Sequence, residues 1–414
     1  MGGMVLLAEM SEGALSDVRI LDLTTQLGAY CTKLLADLGA DVVRVEPPAG
    51  DRSRAVGPFV GDQPHPDRSI PFLFLNSNKR SVTLDLETAD GQRLFRRLAT
   101  QADIVVESFA PGYLEGLGLG YEELAKVNPA IVVTSITPFG GTGPYREFAA
   151  TDLIGVAMGG LLRLCGFTGR APDRPGGDQA YVLAGLHGCS GTLVALYHRD
   201  RTGEGQHVDV SMQQAVFLST GYIVHWAEVR AIDLGRGGHH YNDLPGASRM
   251  VYPCKDGWVV GGLGLREREF RHGVEWMESW QYQTDLSGEA WQDAEYRRAH
   301  WGHAEETWAE FLQQYTKEAL YVEAQARRLT LMPLYTAAEI EHDPQLVARG
   351  FFQQVDHPRL GRLVYPGPAF RPSLTPLRPP SAAPEAGADN AALFEGELGL
   401  SRAYMRALRR AGVV

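Results

Sequence analysis

Two glycines, an aspartate and the start of an apolar helical pattern meet in the string GGDQAY, with Asp178 at its centre. An aspartate so placed has an ordinary use: its carboxylate accepts an N–H of the first helical turn and caps the helix. It has a second use, because Gly176 and Gly177 leave room for a ligand beside the carboxylate, which can then act as a covalent nucleophile. Spacing alone favours the cap, so context has to decide. His300 and His303 stand at helical spacing without a nearby thiolate or third ligand, and they read as an exposed helix face; no metal is expected. The cysteines Cys31, Cys165, Cys189 and Cys254 form no paired metal or redox spacing and read as buried thiols in a reducing compartment.

The elements that must position Asp178 follow from the hydrophobic periodicity. VRILDLT reads as a strand, followed by a turn around Gly28, a helix over about 29–38 and a second strand, DVVRVEP, closed by Pro47. The pattern returns with SVTLDL, ETADGQRLFRRLATQ, ADIVVESF, GYEELAKVN and AIVVTSITPFG. Strands alternating with helices imply a parallel sheet covered on both faces, a doubly wound, Rossmann-like α/β domain. CGFTGRAPDRPGGDQ cannot continue a regular element and reads as a loop. AYVLAGLHGCSGTLVALYHRD, small residues at helical spacing with few charges, reads as a helix buried against the sheet, which puts Asp178 at or just before its N-terminus.

Residues from Val208 to Val229 are helical in pattern, and a loop with Gly235, Gly237 and Gly238 follows. The expected organisation is a large domain over 1–215, a linker over 216–245, a smaller α+β domain over 246–330 and a return to the large domain over 331–414. PPSAAPEAGADNAA reads as an exposed linker.

A chain of 414 residues with 44% hydrophobic content exceeds what one core usually serves, in keeping with two domains. A net charge of −11 excludes a broad nucleic-acid footprint, so an anionic ligand must be held by a local basic site. The first residues offer only the apolar run Val5 to Ala8, without a basic region or cleavage pattern. No stretch approaches the ~18 uninterrupted apolar residues of a membrane span, and a cytoplasmic protein is expected.

Four segments in order, VRILDLTTQLGAYCTKLLADLGADVVRVEPPAGDRSR, LNSNKRSVTLDLETADGQRLFRRLATQADIVVESFAPG, NPAIVVTSITPFGGTGPY and RTGEGQHVDVSMQQAV, resemble the successive hallmark segments of class III CoA-transferases, the CaiB/BaiF family. DPQLVARGFFQQVDHPRLG is similar to the family's closing segment, so the resemblance runs from about Val18 to about Pro376. Asp178, shortly before a buried helix and upstream of the T-G-x-G-Q segment Thr202 to Gln206, occupies the place of the catalytic aspartate. The resemblance implies a carboxylate that attacks an acyl-CoA thioester, acyl-CoA and a small carboxylic acid as substrates, no permanently bound cofactor, and an interlocked homodimer.

Such chemistry needs an ionised Asp178, little water and donors aimed at an oxyanion. Backbone amides at Gly28 and in the loop from Gly235 to Gly246 are candidates. Gln26 reads either as a surface turn residue or as a donor to the acyl intermediate. For the phosphates of CoA the resemblance points to Asn78, Lys79 and Arg80, with Arg44, Arg52 and Arg54 as further cations; Phe109 and Leu117 would wall the adenine or pantetheine. His239, His240 and Arg249 would face a polar or dicarboxylic acceptor. The chain departs from the family pattern at Ala110, where N-F-R-P-G carries an arginine, and at Gly116, where a second arginine is common.

Two other readings compete. The 2-methylacyl-CoA racemases resemble the N-terminal half but need His with Asp for proton transfer; here Thr151 takes the place of that His before Asp152. A regulatory CoA- or nucleotide-binding protein would also use βαβ units, yet TTQLGAY lacks a G-x-G-x-x-G string.

Overall fold

The computed structural model describes residues 13–244, 247–264 and 266–414. The run Val5 to Ala8 and Gly246 lie outside the described residues. Six parallel strands form the main sheet: β1 (Arg19–Leu23), β2 (Asp41–Glu46), β3 (Arg80–Thr83), β4 (Ile104–Glu107), β5 (Val132–Thr137) and β6 (His207–Ser211). Their order is β3-β2-β1-β4-β5-β6, every pairing parallel. Helices cover both faces, which is why the inner strands are apolar almost without alternation, as in Leu21, Leu23, Val43, Val105 and Val133. The chain runs outward from β1 to β3, then crosses back to β4 beside β1. That reversal makes the carboxyl ends of β1 and β4 the topological switch point, where ligands bind in open sheets of this kind.

Contacts divide the chain into two compact units. Unit one holds the chain up to Gly160, Gly176–Thr220 and Val347–Val414; unit two holds Leu161–Pro175 and Gly221–Leu346. Unit two carries an antiparallel sheet of β7 (Val251–Cys254), β8 (Gly257–Gly261) and β9 (Leu331–Leu334) over a core rich in tryptophan, including Trp276, Trp301 and Trp308. Because β9 pairs with β8, the chain returns to unit one at Val347, later than the expected 331. A hairpin of β10 (Phe352–His357) and β11 (Gly361–Pro366) belongs to unit one.

Two local readings are corrected. The helical pattern assigned from Val208 begins as strand β6, because HVDVS alternates β-branched and polar residues along a sheet edge; helices Met212–Thr220 and Tyr222–Arg230 follow. The proline- and alanine-rich stretch before residue 393 is no free linker. Asp389 accepts from the Ser81 N–H at 2.9 Å and Asn390 from the Thr83 N–H at 2.8 Å, so this segment satisfies the otherwise open edge of β3.

The 24-residue helix Gln179–Thr202 has the length and hydropathy of a membrane-crossing segment. One face of it is nonetheless buried in unit one through Ala180, Ala184, Gly185, Gly188, Cys189, Thr192, Ala195 and Leu196.

Candidate active site

The direction of the helix Gln179–Thr202 places Asp178. Near its far end, Arg199 donates to Asp103 at 2.7 Å, just before β4 begins. Midway, Thr192 and Thr134 share a hydrogen bond of 2.8 Å, and nearer its start a Cβ on Gly188 would come 2.5 Å from the Ile136 side chain, close to the carboxyl end of β5. The helix therefore runs antiparallel to the strands, and Asp178 at its head lies at the carboxyl edge of the sheet. Gly185 brings this helix against the helix Ala29–Asp37, since a Cβ there would stand 2.8 Å from the Tyr30 Cβ. The small residues read as helix packing are thus what allow the close approach.

The capping role is resolved by another residue. Asp178 occupies the N-cap position, yet its side chain makes no cap hydrogen bond. The first-turn N–H of Ala180 donates instead to Asp152 Oδ1 at 2.7 Å, and Asp152 is 4% exposed. Asp152 is thus committed to holding the helix start, which weighs further against a proton-shuttling use of that residue. On the approach, Gly177 has a left-handed φ of 74°, and a Cβ on Gly176 would meet nothing within 4 Å. The half-buried Asp178 carboxylate is therefore approached over a backbone that leaves space for a ligand.

The β1 turn lies at the same edge. Its backbone is pinned by Ser108, which follows β4 and accepts from the Thr25 N–H at 2.8 Å. Gly28 opens the helix Ala29–Asp37 with φ 91°, and a Cβ there would come 2.9 Å from the Thr24 methyl. The turn therefore requires glycine and carries an uncapped helix N-terminus. Gln26, half-buried in that turn, has no hydrogen bond to its side-chain amide among the described residues. Phe109 and Leu117 are half-buried on the same apolar cluster, Phe109 in ring contact with Tyr113 at 4.6 Å.

A buried carboxyl not singled out from the sequence stands at the same edge, next to Ser108. Glu107 ends β4, is 7% exposed and accepts from the Phe109 N–H at 2.6 Å. Burial pushes it up to about 7, against the hydrogen bonds from Ser135 and Phe109. The signal available was a charged residue closing an otherwise apolar strand at the switch point.

Of the cations assigned to phosphate, Arg52 is exposed, while the others are engaged within the chain. Lys79 is 5% exposed and donates to Asp22 at 2.8 Å, Thr32 at 2.8 Å and Asn76 at 2.9 Å. Arg44 is 1% exposed and lies 3.4 Å from Asp22 and 3.1 Å from Asp51. Burial alone would raise the Asp22 carboxyl; the charges of Lys79 and Arg44 and hydrogen bonds from Lys79 and Thr24 overcome it and bring it down to about 2. Burial lowers Lys79 to about 8 against the pull of Asp22, so the pair is charged at neutral pH. Arg54 pairs with Glu46 at 2.6 Å and stacks on Phe72. Asn78 donates to Asp37, and Arg80 bridges Asp41 and Glu397. Asp22, Lys79 and Arg44 form the frame under the β1 turn, whereas Asn78 and Arg80 pair at the amino edge of the sheet, with Asp37 and with Asp41 at the start of β2. A strand-borne charge in a sheet covered on both faces must be paired inside it, and that is the reason the phosphate reading of Arg44 and Lys79 is corrected.

In unit two, the His239 ring is packed between Phe167 at 4.9 Å and Trp258 at 5.5 Å. Burial lowers its pKa, with the charges of Arg249 and His240 adding to the effect. His240 is exposed and bridges Arg249 through the backbone. In the glycine loop, the Gly235 N–H already donates to Asp243 and the Gly238 N–H to Gly166, so neither serves an oxyanion. His303 pairs with Asp285 at 2.9 Å and His300 stacks on Tyr296.

A doubly wound parallel sheet, a switch-point turn and a carboxylate at a helix head beyond the strands define an α/β protein of the class in which ligands bind at the carboxyl edge of the sheet. Comparison with known proteins narrows that class. The family model described as CoA-transferase family III matches residues 15–390, and the chain belongs to that family. It is 36% identical to the BbsE subunit of succinyl-CoA:(R)-benzylsuccinate CoA-transferase from Thauera aromatica, over 86% of this chain and 87% of that one. It is 34% identical to succinyl-CoA–D-citramalate CoA-transferase from Chloroflexus aurantiacus, over 97% and 98%. Among solved structures, a CAIB/BAIF family protein from Brucella suis superposes with a TM-score of 0.82 at 28% identity, covering 92% of this chain and 99% of that one. The chain is thus a CoA-transferase, and the relatives give the racemase alternative no support.

Proposed function

We propose that this enzyme moves coenzyme A from an acyl-CoA donor, succinyl-CoA in the first instance, to a small carboxylic acid, with the Asp178 carboxylate as nucleophile. Asp178 attacks the thioester carbonyl; the C–S bond breaks, leaving an aspartyl-acyl anhydride and CoA thiolate. Thiolate attacks the aspartyl carbonyl, releasing the donor acid as carboxylate and forming an aspartyl-CoA thioester. The acceptor carboxylate attacks that thioester, giving a second anhydride, and returning thiolate attacks its acyl carbonyl to form the new CoA ester and restore Asp178. Each step exchanges one activated acyl bond for another, so no external energy source is required.

The observation that carries this reading is a carboxylate at the carboxyl edge of the sheet, at an N-cap position whose capping work Asp152 performs. Gln26 is the proposed donor to the acyl intermediate, with the Gly28 backbone at the uncapped helix start as a second source of N–H groups. Phe109 and Leu117 are the proposed apolar wall for CoA. The choice of succinyl-CoA as donor follows the names of both relatives.

The test is incubation with succinyl-CoA and a panel of carboxylic acids, followed by mass spectrometry. New CoA esters with release of succinate are expected. Deuterium uptake at the α-carbon of a 2-methylacyl-CoA in heavy water, with no acid exchange, would overturn the proposal in favour of the racemase reading.

A homodimer is proposed as the working assembly. It is supported by exposed apolar side chains on two helices of unit one, with Val194 69% and Leu218 64% exposed beside Leu186 and Tyr197. Light scattering on the purified protein is expected to return twice the 45.3 kDa chain mass. A monomer at micromolar concentration would contradict it.

A further inference from the structure

We propose that a cavity within unit two is a binding site for one carboxylate of a small dicarboxylic acid, anchored by Arg249. The cavity has a volume of about 460 Å³, and its walls include Arg249, Tyr252, Gly262, Leu263, Arg266 and Trp301. Three observations carry the assignment, and none of them depends on CoA chemistry.

The first is how Arg249 is held. Its backbone N–H donates to Glu305 at 2.7 Å, its Nε donates to the Val251 carbonyl at 2.9 Å, and its guanidinium lies over the Tyr252 ring at 4.7 Å. Those contacts fix the plane of the group. Among the described residues, neither Nη1 nor Nη2 has a hydrogen-bond partner. A guanidinium held along one edge by a carbonyl and along its face by a ring keeps its remaining donors for a planar, two-oxygen acceptor, which is the geometry of a carboxylate.

The second is the nearby charge. Glu305 touches Arg249 through its backbone N–H and is also committed to the Trp301 indole N–H at 2.8 Å. Glu269, also on the wall, lies 3.9 Å from Arg266. Neither forms an ion pair with the Arg249 side chain.

The third is the glycine wall. Gly261 has φ 130°, and a Cβ there would collide with the Thr330 carbonyl at 1.9 Å; a Cβ on Gly262 would stand 3.2 Å from the Arg249 carbonyl and 3.9 Å from the Tyr252 hydroxyl. Side chains are thus kept off the floor beside Arg249, while Leu263, Leu329 and Trp301 supply apolar surface for a short hydrocarbon backbone.

The proposal deepens the functional reading above, and rests on it for the identity of the acid: both relatives are named for acids that carry two carboxylates. The anion site itself can be tested separately. Calorimetric titration of the whole protein with succinate, citramalate and benzylsuccinate is expected to show binding of at least one, and with butyrate much weaker binding. Arg249→Gln should weaken dicarboxylate binding by about tenfold or more, the loss of a charge-assisted pair. Arg249→Lys should recover part of the affinity and leave butyrate unchanged. In the wild-type protein, the Trp301 indole N–H resonance should shift on titration with the dicarboxylate that binds, a readout that stands even if a variant misfolds. Wild-type affinity in a folded Arg249→Gln protein, no binding of any of the three acids, or an unmoved Trp301 signal at saturation overturns the proposal. Dicarboxylate binding that depends on Arg249 without any CoA transfer would instead overturn the transferase mechanism and leave this site standing.

Discussion

Asp178→Ala is expected to lower the rate of CoA transfer by at least about a thousandfold, because in the proposed mechanism both the anhydride and the thioester form on its carboxylate. The same substitution should cost less than about 1 kcal/mol of stability. A true N-cap aspartate would cost about 0.5–2 kcal/mol when truncated. Here the Ala180 N–H is held by Asp152, so the cap survives. Asp152→Ala should show the cap-type loss of stability that Asp178→Ala does not. Asp178→Asn, nearly isosteric, should bind CoA with unchanged affinity while remaining inactive. Initial rates with succinyl-CoA and urea melts on the variants together separate the two uses of the residue. Turnover surviving in Asp178→Ala would eliminate the covalent mechanism, and a stability loss larger in Asp178→Ala than in Asp152→Ala would restore the cap.

The largest effect on stability is expected at Asp22. Its carboxylate is fully buried and shared by Lys79 and Arg44, whose side chains are 0% and 1% exposed. Asp22→Ala leaves two buried cations without their common anion, and a loss of about 3–5 kcal/mol is expected. The pH dependence follows from the lowered carboxyl. The folded state holds Asp22 at about 2, below the ordinary carboxyl value of 3.8, so the unfolded chain binds the proton more readily. The contribution of Asp22 is therefore fully present above about pH 4 and disappears as pH falls through 2. Urea unfolding of the wild type should show stability falling in that window, and an Asp22→Asn protein should lack the Asp22 part of the slope. Equal stability of Asp22→Ala and wild type at pH 7 would mean that the cluster contributes nothing.

Most of the sheet could be read from the chain. Apolar strands alternating with helical patterns located β1 to β5 and the helix Gln179–Thr202, because each depends on a period of a few residues and on turn glycines. β6 was missed at the edge of the sheet, where its polar alternation competes with the helix that follows. Arg44 and Lys79 were misread for a different reason. A charge in a sequence advertises affinity for an anion but does not say whether that anion is a ligand or a carboxylate of the same chain.

The sequence by itself determined the order of elements, the glycine-lined approach to Asp178, the position of that residue at a helix start and, through its ordered segments, the family. Only the tertiary structure decided that Asp152 does the capping, that Asp22 and Lys79, 57 residues apart, meet in the frame beneath the β1 turn, and that Arg249 lines a cavity. Local conformation depends on neighbours a few positions away, whereas burial and charge pairing depend on which distant segments the packed sheet brings together.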